Sequence, residues 1–229
     1  MKETKPLNIM IYAAFGVLAI ILALNQVQLI GLTSTQPMIM PASAGSPVSL
    51  EGVDITSVQS TAQGLAAVMA LEGLTPQEVR QTMLPTGTPE YGEAMGVSFD
   101  DPVGSMNSLA RAYPALKAQV HEHHPEAYSR WLSMAAAPKG MSCEFCCGLG
   151  AQAIRPDGAD MCACAHHPAL QATALWLLTY TDYTDAEVLR EVYHWKTLFF
   201  PRDMTALGTQ IAGGDSSVLQ ELPGMVGGC

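Results

Sequence analysis

Five of the six cysteines fall within one stretch, Ser142 to His167, which reads S-C-E-F-C-C-G-L-G-A-Q-A-I-R-P-D-G-A-D-M-C-A-C-A-H-H. This concentration constrains the fold more than any other feature. Thiolates crowded together repel, so a chain that gathers them must supply a cation or oxidise them to disulfides. Thiolate sulfur and imidazole nitrogen are the donors that soft and borderline metals prefer. Cys143, Cys146, Cys147, Cys162, Cys164, His166 and His167 are therefore the candidate ligands of a transition metal ion, copper or zinc.

The spacing favours that chemistry. Cys143-x-x-Cys146 brings two sulfurs within reach of one ion, and Cys162-x-Cys164 does the same from a second segment. Arg155-Pro156-Asp157-Gly158 between them is a tight-turn sequence. The second pair stands just before a helix start at Pro168, where the helix dipole stabilises thiolates. A thiol pair, a turn, then ligands at a helix N-terminus resembles a treble-clef site in outline. Cys143, Cys146, Cys162 and Cys164 form the expected primary set, with Cys147 and one of His166 or His167 able to join. Consecutive side chains diverge, so only one of the two histidines is expected to face the thiols. Phe145, Leu149 and Ile154 are placed to shield the sulfurs. Seven donors exceed a four-coordinate site. They imply two ions, one ion with spare ligands for handover, or some residues that bind nothing.

Other readings of the cysteines compete. An exported domain with an even number of cysteines can simply be disulfide-stapled, a surface or assembly protein with no metal. Thiol–disulfide exchange at C-x-x-C needs a βαβ setting that this sequence lacks. Haem c attachment needs a histidine where Cys147 stands. An iron–sulfur cluster suits an extracytoplasmic setting less well. Among the thirteen methionines, Met38, Met40, Met141 and Met161 are either flexible apolar filler or thioether ligands for Cu(I).

The setting follows from the N-terminus. Leu7 to Leu24 is almost unbroken apolar sequence, preceded by Lys2 and Lys5, and no further Lys or Arg occurs before Arg80. Such a run spans a bilayer as a helix, with the N-terminus cytoplasmic and the rest periplasmic or extracellular. The nearest small-residue cleavage pattern, Ala42-Ser43-Ala44, lies too far downstream for a signal peptide, so a retained anchor over 1–32 is expected. Residues 33–53, rich in Ser, Thr, Pro and Gly, read as a tether.

Residues 54–229 read as one helical domain. Val58 to Leu71 has helical spacing, with Gly73 as a stop. Thr75-Pro76-Gln77-Glu78 and Thr184-Asp185-Ala186-Glu187 are capping boxes. Gly87 to Asp101 reads as loop, with a short extended piece over Met95 to Phe99. Pro114 is expected to divide Ser105–Ala112 from Ala115–His123, and Glu126–Ala136 follows Pro125. His121, His123 and His124 read as a polar helix end rather than a metal site. Ala169–Tyr180 is apolar almost all round and should be the buried central helix. The helix from Thr184 shows one broad apolar face, Val188, Leu189, Val192, Trp195, Leu198 and Phe199, and should stop at Pro201. His194 on that helix reads as a core histidine. A Gly- and Ser-rich tail then carries Cys229.

No catalytic triad, phosphate loop or dinucleotide fingerprint is present. The net charge of −10 argues against a nucleic-acid partner, because phosphate contacts require a basic patch. The expected architecture is mostly α: an N-terminal transmembrane helix, a tether, and a small helical domain with a Cys/His knuckle-like metal site. The partners implied are the membrane and a protein that delivers or accepts the metal.

Overall fold

The computed structural model describes residues 49–148 and 150–219, except the side chain of Cys147. The expected anchor, nearly all of the tether, Leu149 and Cys229 lie outside the described residues. Among those described, no helix is long and apolar enough to cross a membrane.

The domain is mostly helical, and the described residues contain no strand beyond one isolated antiparallel bridge, Ile154 to Asp160. Among the described residues nine helices follow in order: α1 Thr61–Val68, α2 Pro76–Met83, α3 Gly92–Met95, α4 Pro102–His123, α5 Pro125–Ala135, α6 Glu144–Cys147, α7 His166–Tyr180, α8 Asp185–Phe199 and α9 Pro201–Ala212. A single 3₁₀ turn, Ser216–Leu219, ends the described chain. Packing begins at Leu50, which is buried.

Both capping boxes form as the sequence predicts. Thr75 and Glu78 bond reciprocally at the start of α2, and Thr184 and Glu187 do so at α8. The central position of α7 also holds: ten of its residues are buried, and it packs against α4, α5 and α8. On α8, Trp195 is fully buried and donates its indole N–H to Tyr91 Oη at 2.9 Å, while Leu198 is half-buried against the core.

The structure corrects four expectations. Pro114 does not divide a helix; α4 runs through it. Pro114 sits on the exposed side, where water can satisfy the carbonyl it leaves unbonded, while Ser105, Leu109, Tyr113 and Val120 are buried on the other face. The first helix stops at Val68, because Ala70 takes a left-handed conformation, φ 47°, that no helix continues. Met95 to Phe99 is not extended; α3 ends there on Gly96 at φ 67°. Pro201 ends α8 but opens α9 as its first residue, a position where proline is favoured. α9 crosses α2 at Gly208, where any Cβ would collide with Met83. That close approach explains a glycine in mid-helix.

Trp195→Ala should lower stability by about 3–5 kcal/mol, from the cavity and from the lost contacts of a fully buried ring. Urea unfolding of the full chain measures it. A loss under about 1 kcal/mol would mean that the ring contributes no more than a surface residue.

Candidate metal centre

The two cysteine pairs sit on two short irregular segments that α5, α7 and α8 hold together. The first segment leaves α5 and turns through Gly140, whose φ of 76° places its carbonyl toward the core. A Cβ at Gly140 would run into Thr61 of α1, so only glycine lets the segment approach this closely. Cys143 then precedes the single turn of α6, its carbonyl accepting from Cys146 N–H at 2.9 Å. This turn brings Cys143 and Cys146 to the same side. Gly148, at φ 64°, closes it.

The second segment is pinned to the end of α5, where the backbone N–H groups of Ala153 and Ile154 both donate to Ala135 O at 3.0 Å. The expected tight turn is present, with Gly158 N–H donating to Arg155 O at 2.8 Å. The chain returns through Asp160 and Met161 to Cys162 and Cys164, and α7 begins at His166.

There the sulfurs meet. Cys143 Sγ lies 3.4 Å from Cys162 Sγ and 3.2 Å from Cys164 Sγ, and Cys162 and Cys164 are 3.4 Å apart. A second donor group combines Cys146, Cys164 and His166, with all ligand atoms within 4.8 Å of one another. Cys164 belongs to both groups. None of Cys143, Cys146, Cys162 or Cys164 is in a disulfide. The separations among Cys143, Cys162 and Cys164 far exceed the S–S bond of about 2.05 Å.

The protons are unevenly shared. Cys164 is held far below the usual thiol range, first by the hydrogen bond from Cys143, with help from His166, the backbone N–H of His167 and Cys162 against the opposing effect of burial. Cys143 is pushed up by the same hydrogen bond and by its own burial. Cys164 is thus the thiolate of the group, at the N-terminus of α7 where the helix dipole favours negative charge. His166 is edged by Phe199 and Phe200, and its Nδ1 is buried without a hydrogen-bond partner.

His167 does a different job. It belongs to neither donor group. Its Nε2 lies 3.2 Å from Asp160 Oδ1, and the same carboxylate accepts from Tyr113 Oη at 2.7 Å and Lys117 Nζ at 2.9 Å. Burial alone would raise the Asp160 carboxyl, but these three hydrogen bonds hold it below the usual range. Burial lowers His167, keeping it neutral despite Asp160. This knot ties the cysteine-bearing loop to α4 and to the first turn of α7. Beside it lies an open depression of about 430 Å³, lined by Tyr113, Asp160, Met161, Cys162 and His167, so Cys162 is the cysteine of the group that borders it.

Sequence reasoning missed the support beneath the first pair. Lys196 is completely buried on α8; its Nζ donates to Glu144 Oε1 at 2.6 Å, Gly140 O at 2.8 Å and Thr61 Oγ1 at 3.0 Å. Thr61 also donates to Glu144 Oε1. Burial pulls the Lys196 ammonium down, while Glu144 and Cys143 oppose that shift. A signal was present: Lys196 stands four residues after Val192 and seven after Leu189, inside the apolar stripe.

The remaining candidates do not gather. His121 packs on Tyr128 at 4.5 Å, His124 on Tyr180 at 5.7 Å, and His123 is exposed beside Glu122. His194 lies 3.3 Å from Glu191. Met141 is buried in the core, and Met161 lines the depression. Compared with known proteins, the chain matches no family model, and no curated protein or solved structure is significantly similar to it.

Removing one partner of a buried ion pair strands the other charge. Lys196→Met should therefore cost about 3–5 kcal/mol, and adding Glu144→Leu should recover part of that loss. Denaturant unfolding of the single and double variants tests this. Equal losses in both would mean that the charge pair is not what Lys196 contributes.

Proposed function

We propose that this chain is a membrane-anchored extracytoplasmic protein that binds a soft or borderline transition metal, copper or zinc. The observation that carries the reading is the convergence of Cys143, Cys162 and Cys164 to 3.2–3.4 Å, with Cys146 and His166 in reach of the same Cys164. Zinc and Cu(I) both take thiolate and imidazole ligands, and the acidic, low-charge chain offers no competing chemistry. The open depression beside Cys162 suits exchange of the metal with a partner protein. A metal at this centre would act through binding and handover.

Protein purified anaerobically and never reduced should carry metal, by elemental analysis, and lose most of it in Cys143→Ser or Cys162→Ser. Metal-free protein with bridged cysteines by mass spectrometry would replace this reading with a disulfide-stapled domain.

The topology rests on the apolar run behind Lys2 and Lys5. Protease added to intact cells should remove the cysteine-bearing domain and leave the N-terminus protected. Digestion of the domain only after the membrane is opened would place it on the cytoplasmic side.

A further inference from the structure

Five donors of the described residues converge at the centre. Among the described residues they fall into two triads, Cys143–Cys162–Cys164 and Cys146–Cys164–His166, and no four donors come mutually within the same range. This matters because structural zinc is almost always four-coordinate and tetrahedral. Three thiolates at nearly equal separations of 3.2, 3.4 and 3.4 Å make a triangular donor face. Cu(I), a soft ion selected by thiolate, accepts three-coordinate sites, and thiolate sulfur has lone pairs enough to bridge two such ions.

We propose that the centre is a dinuclear Cu(I) site in which Cys164 is the bridging thiolate. One ion is held by Cys143, Cys162 and Cys164, and the second by Cys164, Cys146 and His166. The proposal rests on the metal-binding reading above and adds the metal, its number and the bridge. Three features support it beyond the donor count. Cys164 is the only residue common to both triads. His166 has a buried nitrogen without a hydrogen-bond partner and is fixed against Phe199 and Phe200, so it is already oriented. Two monovalent cations offset part of the charge of four thiolates at the start of α7, where the helix terminus favours the negative remainder.

The test uses the full chain in detergent, with Cys147 retained and Cys229 of the C-terminal tail changed to Ser. Under anaerobic conditions the reduced protein is titrated with Cu(I) against a chromogenic Cu(I) chelator. The expected end point is about two ions per chain, with Cu–Cu scattering in the X-ray absorption spectrum, as a thiolate-bridged soft-metal pair requires. His166→Gln and Cys146→Ser should each reduce the end point to about one ion and abolish the Cu–Cu signal, and Cys162→Ser should do the same from the other side. Cys164→Ser should abolish that signal as well. Should a variant misfold, the end point and scattering of the unaltered site still decide the matter. An end point of about one ion, one of three ions or more, or two ions without Cu–Cu scattering overturns the dinuclear proposal and leaves metal binding standing. One tightly bound Zn(II) with no competitive Cu(I) uptake overturns it in the same way. Failure to bind either metal after full reduction overturns both.

Discussion

A fully buried ammonium sits at the base of this domain, and the placement of the first cysteine pair depends on it. Lys196 reaches from α8 to Glu144 on α6, to the carbonyl of Gly140 and to Thr61 on α1. Three segments distant in sequence therefore meet at one atom. Burying a charge without partners costs several kcal/mol, so the only favourable arrangement brings all three acceptors to Nζ at once. That requirement fixes where α6 lies. Because Glu144 is the residue after Cys143, fixing α6 also fixes the first sulfur.

The second pair is braced by a different device. Asp160 collects Tyr113 and Lys117 from α4 and His167 from α7 on one carboxylate. Its location on the return limb of the turn, two residues before Cys162, gives it control of the second sulfur pair. The two braces are independent in chemistry and in the helices they use, yet they converge on adjacent backbone segments. Ala135 O, which accepts from both Ala153 and Ile154, links them through the end of α5. The centre is thus assembled on irregular backbone whose position is dictated by four long helices. This is the usual way in which a rigid scaffold presents a loop site.

Local signals in the sequence proved legible where the physics is local. A Thr–x–x–Glu box satisfies two backbone donors within four residues, so Thr75 and Thr184 announce their helices without tertiary help. The all-round apolar character of α7 and the stripe containing Trp195 could likewise be read directly, as could the convergence of Cys143 with Cys162 and Cys164. The misses share a cause. Pro114 continues α4 because the opposite face is held by packing, which outweighs the one hydrogen bond that proline removes. α9 was hidden because Gly208 and a polar face weaken its pattern, although Gly208 is there for the close passage over α2. The roles of His166 and His167 could not be separated beyond the rule that neighbours diverge. Which one turned toward sulfur depended on where Asp160 stood. The contribution of Lys196 was readable only as an anomaly, a cation in an apolar register.

The division of labour between the two histidines bears on how the metal is coupled to the fold. In many small metal-binding domains the ion supplies the folding free energy, and the apo chain is unfolded. Here the helices bury a continuous core of their own, from Leu50 on the first described segment to Val218 near the last. The two loops are also pinned by Lys196 and by Asp160, without any metal ligand among the bonding atoms. The scaffold therefore sets the donors before the ion arrives, and binding has to order little more than the sulfurs and one imidazole. An ion bound at such a site would be held by geometry set beforehand, and its loss would leave the helical core intact. The fold therefore does not depend on an ion at this centre, and the depression beside Cys162 keeps one edge of the sulfur group open.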